Sequence, residues 1–290
     1  MTRYARLAMA LAVAAALLMT AGCNKLKARD QLNKGVHAYT SSKYEDAIEH
    51  FKNAVNLDGN LQVAKLYLAT AYAQQYVPGA DTPDNNANAQ QAIEQYKAVL
   101  ANDPNNVTAL KGLAYLYMNT KKFDESRDYY KKVIDANPND PEAYYSVGVI
   151  DWSAVYKDTA DQKSKVGLKV DDPLTQKRDQ KLCEQLASTN SGKVDEGMQM
   201  LQTAIDKRQD YDDAMVYLNL LYLRKADMAC NNPQEAAQDK KMSNEWSDKA
   251  MAARKKKAEE AAKKVAGGIV LDQKKPAEDQ NQSQDQNQKK

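Results

Sequence analysis

The feature that most constrains this chain is an interval. "ANDPNNVTALKGLA" (101–114) and "ANPNDPEAYYSVG" (136–148) repeat one pattern, an Asn/Asp/Pro turn followed by small residues at helical spacing. Pro104 and Pro138 stand 34 residues apart (138 − 104). Proline after Asn or Asp cannot continue a helix, so it ends one and opens the next. A unit of that length holds two short helices and their turns. Alone it cannot bury its apolar face, so such units must stack, at least three together. The aromatic content, 17 Tyr against 2 Phe, and the lack of Val/Ile/Thr alternation also favour helices over strands.

Self-comparison extends the pattern. "GVHAYTSSKYEDAIEHFKNAVNLDGN" from Gly35 and "GLAYLYMNTKKFDESRDYYKKVIDANPND" from Gly112 both read as helix, short turn, helix, turn. Residues 107–140 carry Leu110, Leu113, Ala114 and Tyr117 on the first helix, then Ser126, Tyr130, Val133 and Pro138 on the second. This arrangement resembles the tetratricopeptide repeat, a helix-turn-helix unit that stacks into a right-handed superhelix. A first unit near 28–61 keeps Gly35, Ala47, Phe51 and Ala54, with Gln31 at the large-anchor place and Gly59 for the proline. The second has Leu68, Ala69, Tyr72, Ala92, Tyr96, Val99 and Pro104; the fourth has Tyr144, Val147, Gly148, Gly197, Leu201 and Ala204. A fifth first-helix is "DDAMVYLNLLYLRKA" with Leu218 and Tyr222. Small residues at Ala69, Ala114 and Gly148, facing Ala92, Ser126 and Gly197, allow the two helices of a unit to approach within about 8–10 Å. The expected fold is therefore an all-α solenoid of four to five repeats over 28–232, closed by a C-terminal capping helix over 233–264.

Two intervals are stretched. Tyr72 to Ala92 is 20 steps and Asp151 to Gly197 is 46, against nine from Tyr117 to Ser126. Insertions near 76–88 and 153–193 thus emerge from the turn between the helices of a unit, on one edge of the solenoid. Such insertions mark a binding face or record drift in a tolerant loop. "DPLTQKRDQKLCEQLAS", opening at Asp172-Pro173, is expected to form a helix of its own within the second. "DTPDNNANA" crowds oxygen ligands but lacks the spaced glycine and final Glu of an EF-hand loop, so it reads as a polar turn. Met242, Trp246 and Ala250, at four-residue steps, form the expected buried stripe of the capping helix. The stretch 265–290, polar and free of aromatics, is expected to be disordered.

The N-terminus has a different character. Arg3 and Arg6 precede an apolar run from Leu7 to Met19, then "TAGC". This resembles a bacterial lipoprotein signal peptide over 1–22, in which Cys23 would be acylated and become the mature N-terminus. Thr20 departs from the usual Leu of that family. Ordinary secretion would cut at the same bond and leave a free thiol. Residues 23–27 would form a lipid-anchored linker. Asn24 rather than Asp after the cysteine implies, by the sorting rule of enteric lipoproteins, an outer-membrane location facing the periplasm. Loss of Arg3 and Arg6 takes the formal charge from +2 to zero, which argues against nucleic acid as partner.

No catalytic constellation is legible. His37 and His50 are isolated, and no HExxH, Gly-rich phosphate loop, GxSxG elbow or paired-cysteine metal motif occurs. No cofactor, metal or small-molecule substrate is expected, and catalysis by an unrecognised site is the remote alternative. Binding is the other class. In the repeat family the first helices line a concave groove, and the resemblance carries its places onto Leu32, Val36, Tyr39 and Thr40, then Leu66, Thr70 and Ala73. It continues with Lys111, Tyr115, Met118 and Asn119, then Tyr145, Val149 and Trp152, and ends with Val216, Leu220 and Leu223. These side chains form a peptide-binding strip, or part of them packs under the 153–193 insertion or the capping helix. The family's basic carboxylate clamp is missing, since Tyr115 follows Lys111 by one turn. The export context leaves Cys183 and Cys230, which would lie in stacked turns of the fourth and fifth units and are expected to form a disulfide; two unrelated thiols are the alternative. The expected function is a non-catalytic envelope lipoprotein that holds a protein or peptide segment as scaffold or assembly factor, or an accessory partner of a cell-wall or secreted enzyme.

Overall fold

The computed structural model describes residues 23–174 and 179–272, with side chains described to 264. The expected signal peptide over 1–22 and the end of the tail over 273–290 lie outside these residues. Ten helices run through the described chain: α1 (23–40), α2 (Tyr44–Leu57), α3 (Gln62–Gln75), α4 (Pro83–Leu100) and α5 (Val107–Asn119). The remainder are α6 (Phe123–Ala136), α7 (Pro141–Ser164), α8 (Gln180–Lys207), α9 (Asp212–Asp227) and α10 (Pro233–Asp272). They pack as five consecutive pairs, and each pair packs on the next. The described residues contain no strand.

The punctuation works through identifiable bonds. Asn106 caps α5, its Oδ1 accepting from the Ala109 N–H at 3.1 Å, and Asp140 caps α7 ahead of Pro141 by accepting from the Glu142 N–H at 3.1 Å. Within a unit the turn is tighter. Ser42, Lys121 and Asn231 hold φ of 59°, 60° and 57°, the left-handed conformation that ends a helix. The bonds from Lys43 N–H to Ala38 O (2.9 Å) and from Lys122 N–H to Tyr117 O (2.8 Å) close the first two of these turns.

Close approach occurs where small residues face each other. A Cβ built on Gly148 would lie 2.5 Å from Leu201 Cγ and 3.1 Å from the Gly197 carbonyl oxygen, so α7 and α8 touch backbone to backbone. Ser126 does the same work in the third unit, its hydroxyl buried and donating to Ala114 O at 2.8 Å. Phe51, Leu68, Tyr96 and Leu113 fill the N-terminal core, Leu110, Val133 and Val147 the middle, and Leu201, Leu218, Leu221 and Trp246 the C-terminal end.

The structure refines several expectations. The 153–193 insertion carries no separate helix opening at Asp172-Pro173. Instead α7 extends to Ser164, and α8 starts at Gln180 and runs unbroken for 28 residues. Leu182, Leu186, Asn190, Val194, Gly197 and Leu201 keep one buried face along all of α8, so the periodicity never breaks. The insertion is thus a helical hairpin projecting from the fourth unit, α7 leading out to Ser164 and α8 returning from Gln180.

Near 76–88, α4 begins at Pro83, capped by Thr82, and the loop before it is organised by buried Asn85. Its Oδ1 accepts from the Val77 N–H at 2.7 Å, and its Nδ2 donates to Val77 O and Ala80 O at 2.9 and 2.7 Å. Residues 23–27, expected as the linker, are helical and continuous with α1, because "CNKLKARD" contains strong helix formers such as Leu26, Lys27 and Ala28 and no breaker. Finally, α10 pairs with α9 as the second helix of a fifth unit and continues to Asp272, eight residues past the expected end at 264 (272 − 264).

Candidate functional site

First helices of neighbouring units meet in two places: α3 packs on α5, and α7 on α9. On α7, Tyr145 tilts against Tyr211 at 4.9 Å between ring centroids and meets Tyr217 of α9 edge-on at 5.8 Å. Two turns further along, Trp152 sets its edge to Tyr217 at 5.0 Å and stacks on Tyr156 at 5.2 Å. Tyr115 on α5 is 42% exposed and Tyr156 is 38% exposed.

Burial shapes the phenols. It pushes the Tyr211 hydroxyl up to about 12, with the Arg208 guanidinium opposing it. Burial also raises Tyr145, aided by Tyr217 and Asp213. Both hydroxyls are therefore neutral in water, and these rings act as apolar bodies with one polar tip.

The other groove residues divide. Tyr39 meets Tyr44 edge-on at 5.4 Å. Thr70 is turned into its own unit, its hydroxyl donating to Leu66 O at 2.8 Å and accepting from the Tyr96 hydroxyl at 3.3 Å. Lys111 is engaged in an ion pair with the buried Asp140 carboxylate. Met118 packs against the middle core. Asn119 donates to Tyr115 O at 2.8 Å, and its own carbonyl accepts from the Tyr76 hydroxyl at 3.3 Å. Val149 is half-buried, its carbonyl accepting from the Ser153 hydroxyl. Tyr145 and Trp152 are therefore brought together through Tyr217, Tyr115 is exposed on α5, and Thr70 and Lys111 are occupied within the chain. Tyr156, Tyr211 and Tyr217 were missed by sequence reasoning. Tyr156 follows Trp152 by one helical turn, a signal hidden by reading 153–193 as an insertion.

A second feature gathers at the hairpin corner. Cys183 and Cys230 are disulfide-bonded with Cα atoms 5.7 Å apart, joining the start of α8 to the turn before α10. Beside them Lys163, 0% exposed, donates to Val170 O (2.9 Å), Asp172 O (2.8 Å) and the Asp227 carboxylate (2.9 Å). Arg224 reaches the same loop at Val170 O and Asp171. A cavity of about 600 Å³, lined among others by Leu174, Cys183, Cys230 and Pro233, opens at this corner. Cys23 is exposed, at the start of α1 and ahead of buried Ala28. Among the described residues no helix is long and apolar enough to cross a membrane, and no His/Cys/Asp/Glu group is placed to hold a metal ion.

Residues 86–147 match the family description "Tetratricopeptide repeat". No curated protein sequence matches the chain. Among solved structures, the MamA protein superposes with a TM-score of 0.54 at 16% identity, covering 80% of this chain and 94% of that one. A double mutant of MamA from RS-1 gives 0.54 at 17% identity, covering 80% and 96%. YrrB, described as "a TPR protein with an unusual peptide-binding site", superposes more loosely, at 0.49 with 14% identity, covering 78% and 90%. At these identities the MamA likeness is one of fold.

Proposed function

We propose that this solenoid of tetratricopeptide repeats is a non-catalytic, lipid-anchored scaffold of the bacterial envelope, which holds a segment of another protein along its inner face. The observation that carries the reading is the aromatic strip on the first helices, where Trp152, Tyr156 and Tyr217 join rings while Tyr115 and Tyr156 stay open to solvent. A rigid row of rings set on packed helices offers contact area at little entropic cost.

The anchor is supported by Ala21-Gly22-Cys23 after an apolar run, and by the exposure of Cys23. Cys23 and Ala28 lie on one helix, so five residues at 1.5 Å each place the first unit within about 8 Å of the acylated position. The solenoid would then stand on the membrane, outer and periplasm-facing by the Asn24 reading, with its inner face directed away.

Crosslinking in native membranes from a photoreactive group at position 115, followed by identification of the adduct, tests the reading. Capture of a defined envelope protein is expected. Absence of any adduct at 115, with adducts forming elsewhere on the chain, would overturn it.

A further inference from the structure

We propose that the first turn of α1 is a docking surface for anionic phospholipid, with Leu26 entering the acyl boundary and Lys25, Lys27 and Arg29 resting on the headgroups. The inference rests on the anchor reading above and adds a surface that the acylated cysteine alone does not supply.

The placement follows from helix geometry. Ala28, Gly35 and Ala38 form the buried stripe of α1, with Gly35 set against Phe51 of α2. At 100° per residue Leu26 stands about 160° round the helix from Ala28, on the side away from that packing. It is 69% exposed, above the other exposed large apolar side chains described, of which the next is Met251 at 59%. One exposed leucine means little by itself. Its position carries the argument: Cys23 lies three residues before it, so the two share a helix face. Their axial separation of about 4.5 Å keeps Leu26 within the depth that an interfacial helix reaches.

Charge supplies the partner. Without Arg3 and Arg6 the chain has 39 basic side chains (41 − 2) and 39 acidic ones, so it is neutral overall. Yet residues 23–29 hold Lys25, Lys27 and Arg29 and no acid, which leaves the remainder at −3 (0 − 3). All three are exposed, and none enters an ion pair among the described residues. The acid that follows, Asp30, is paired with Lys34 at 2.7 Å. Asp58, at the C-terminal end of α2, is engaged by the Asn60 N–H at 3.1 Å. An anionic surface therefore attracts this turn and repels the rest of the molecule, which both binds and orients the solenoid. An acidic protein or a nucleic acid would meet the same charges but would offer Leu26 no apolar phase.

Cys23 makes the test direct, because Cys183 and Cys230 are joined and leave it the free thiol. The chain from Cys23 onward, coupled there to a tetradecyl maleimide, would be mixed with phosphatidylcholine vesicles and with vesicles of phosphatidylcholine and phosphatidylglycerol in equal parts. One such chain holds a protein only marginally, at about 10⁴ M⁻¹, so the contribution of the surface stays measurable. Each Lys or Arg at an anionic surface strengthens binding about fivefold, so the phosphatidylglycerol vesicles should bind at least about a hundredfold tighter than the neutral ones. The difference should fade as salt rises from about 0.05 to about 0.5 M. Lys25→Gln, Lys27→Gln and Arg29→Gln together should cut the preference to about fivefold at most, the share of the α-amino group. Lys255→Gln, Lys256→Gln and Lys264→Gln together, on exposed positions of α10, should leave it unchanged. Leu26→Ser should weaken binding to both vesicles about fivefold. Equal affinity for the two vesicles, a preference that survives the first triple variant or is lost in the second, or parental binding by Leu26→Ser would each overturn the inference. The lipid is attached chemically, so these results do not depend on acylation in the cell; an unlabelled Cys23 would overturn the anchor reading without altering them.

Discussion

Asp151 Oδ1 accepts from Arg127 Nε at 2.7 Å, carrying an ion pair from the third unit into the packed seam of the fourth. Asp151 is 1% exposed, its Oδ2 has no hydrogen-bond partner, and Arg127 also pairs with Glu196 of α8. Lys131 adds a contact to Glu196 at 2.6 Å. One network therefore links α6, α7 and α8. Burial pushes the Asp151 carboxyl up to about 6 from its ordinary 3.8, the Arg127 charge only partly offsetting it. The folded state then binds a proton more tightly than the unfolded state, so stability should rise as pH falls from 7 through 6 towards 4. Asp151→Asn should flatten that slope, by on the order of 1–3 kcal/mol across the window. Melting temperature measured from pH 7.5 to 4.5 in both proteins checks it; equal slopes would refute the assignment.

Two glycines of the same hairpin should respond in opposite directions. Gly148→Ala would put a methyl into Leu201 and the Gly197 carbonyl, and should cost about 1–3 kcal/mol through overpacking. Gly192 lies within α8 with nothing near its missing Cβ, so Gly192→Ala should stabilise by about 0.5–1 kcal/mol through helix propensity. Urea midpoints of the two variants decide it.

The strip itself divides by function. Tyr145 packs among Tyr211, Tyr217 and the C-terminal core, so Tyr145→Ala should lower stability by about 3 kcal/mol. Tyr115→Ala should leave melting within about 0.5 kcal/mol while reducing client capture. Denaturation and pull-down on the same preparations separate the two effects.

The period, the five first-helices and the facing pairs Ala114–Ser126 and Gly148–Gly197 were legible because each rests on local spacing. The hairpin was not. Continuity of α8 depends on Leu182 and Leu186 finding buried partners, whereas the sequence between them and Val194 is rich in Ser, Thr and Asn, which read as a break. The Lys163 clamp was equally hidden: its partners are two backbone carbonyls and a carboxylate 64 residues away, and no sequence pattern announces a carbonyl. Of the strip, Tyr145 and Trp152 could be placed by repeat phase. Tyr156 could not, because it lies on the part of α7 that ordinary repeats lack.

Cys23 offers a direct test of the anchor. Metabolic labelling with a radioactive fatty acid should mark the full-length chain, and Cys23→Ala should abolish the label. Label that persists in the variant would place the acyl group elsewhere.

The corner held by Cys183–Cys230 and Lys163 should behave as two fasteners on one joint. The bond closes a loop of 47 residues, and on the chain-entropy model this stabilises by about 4 kcal/mol relative to the reduced unfolded chain. Unreduced, denatured Cys23→Ala protein should accordingly titrate with no free thiol. Lys163→Met would remove a buried ammonium, leaving Asp172 O without that donor, Val170 O with Arg224 alone, and Asp227 with Arg224, at 3.4 Å, as its remaining ionic partner; the cost should be about 3 kcal/mol. The two losses act on the same segment by different routes. With the disulfide intact, loss of Lys163 leaves α8 pinned to the turn before α10. With Lys163 intact, reduction leaves the 165–174 loop held to α9. With both lost, the corner keeps only its Arg224 contacts and helix packing to hold it to α9, so Lys163→Met measured under dithiothreitol should lose more than the sum of the single effects. Strict additivity in urea denaturation would show that the two contacts stabilise independent parts of the molecule.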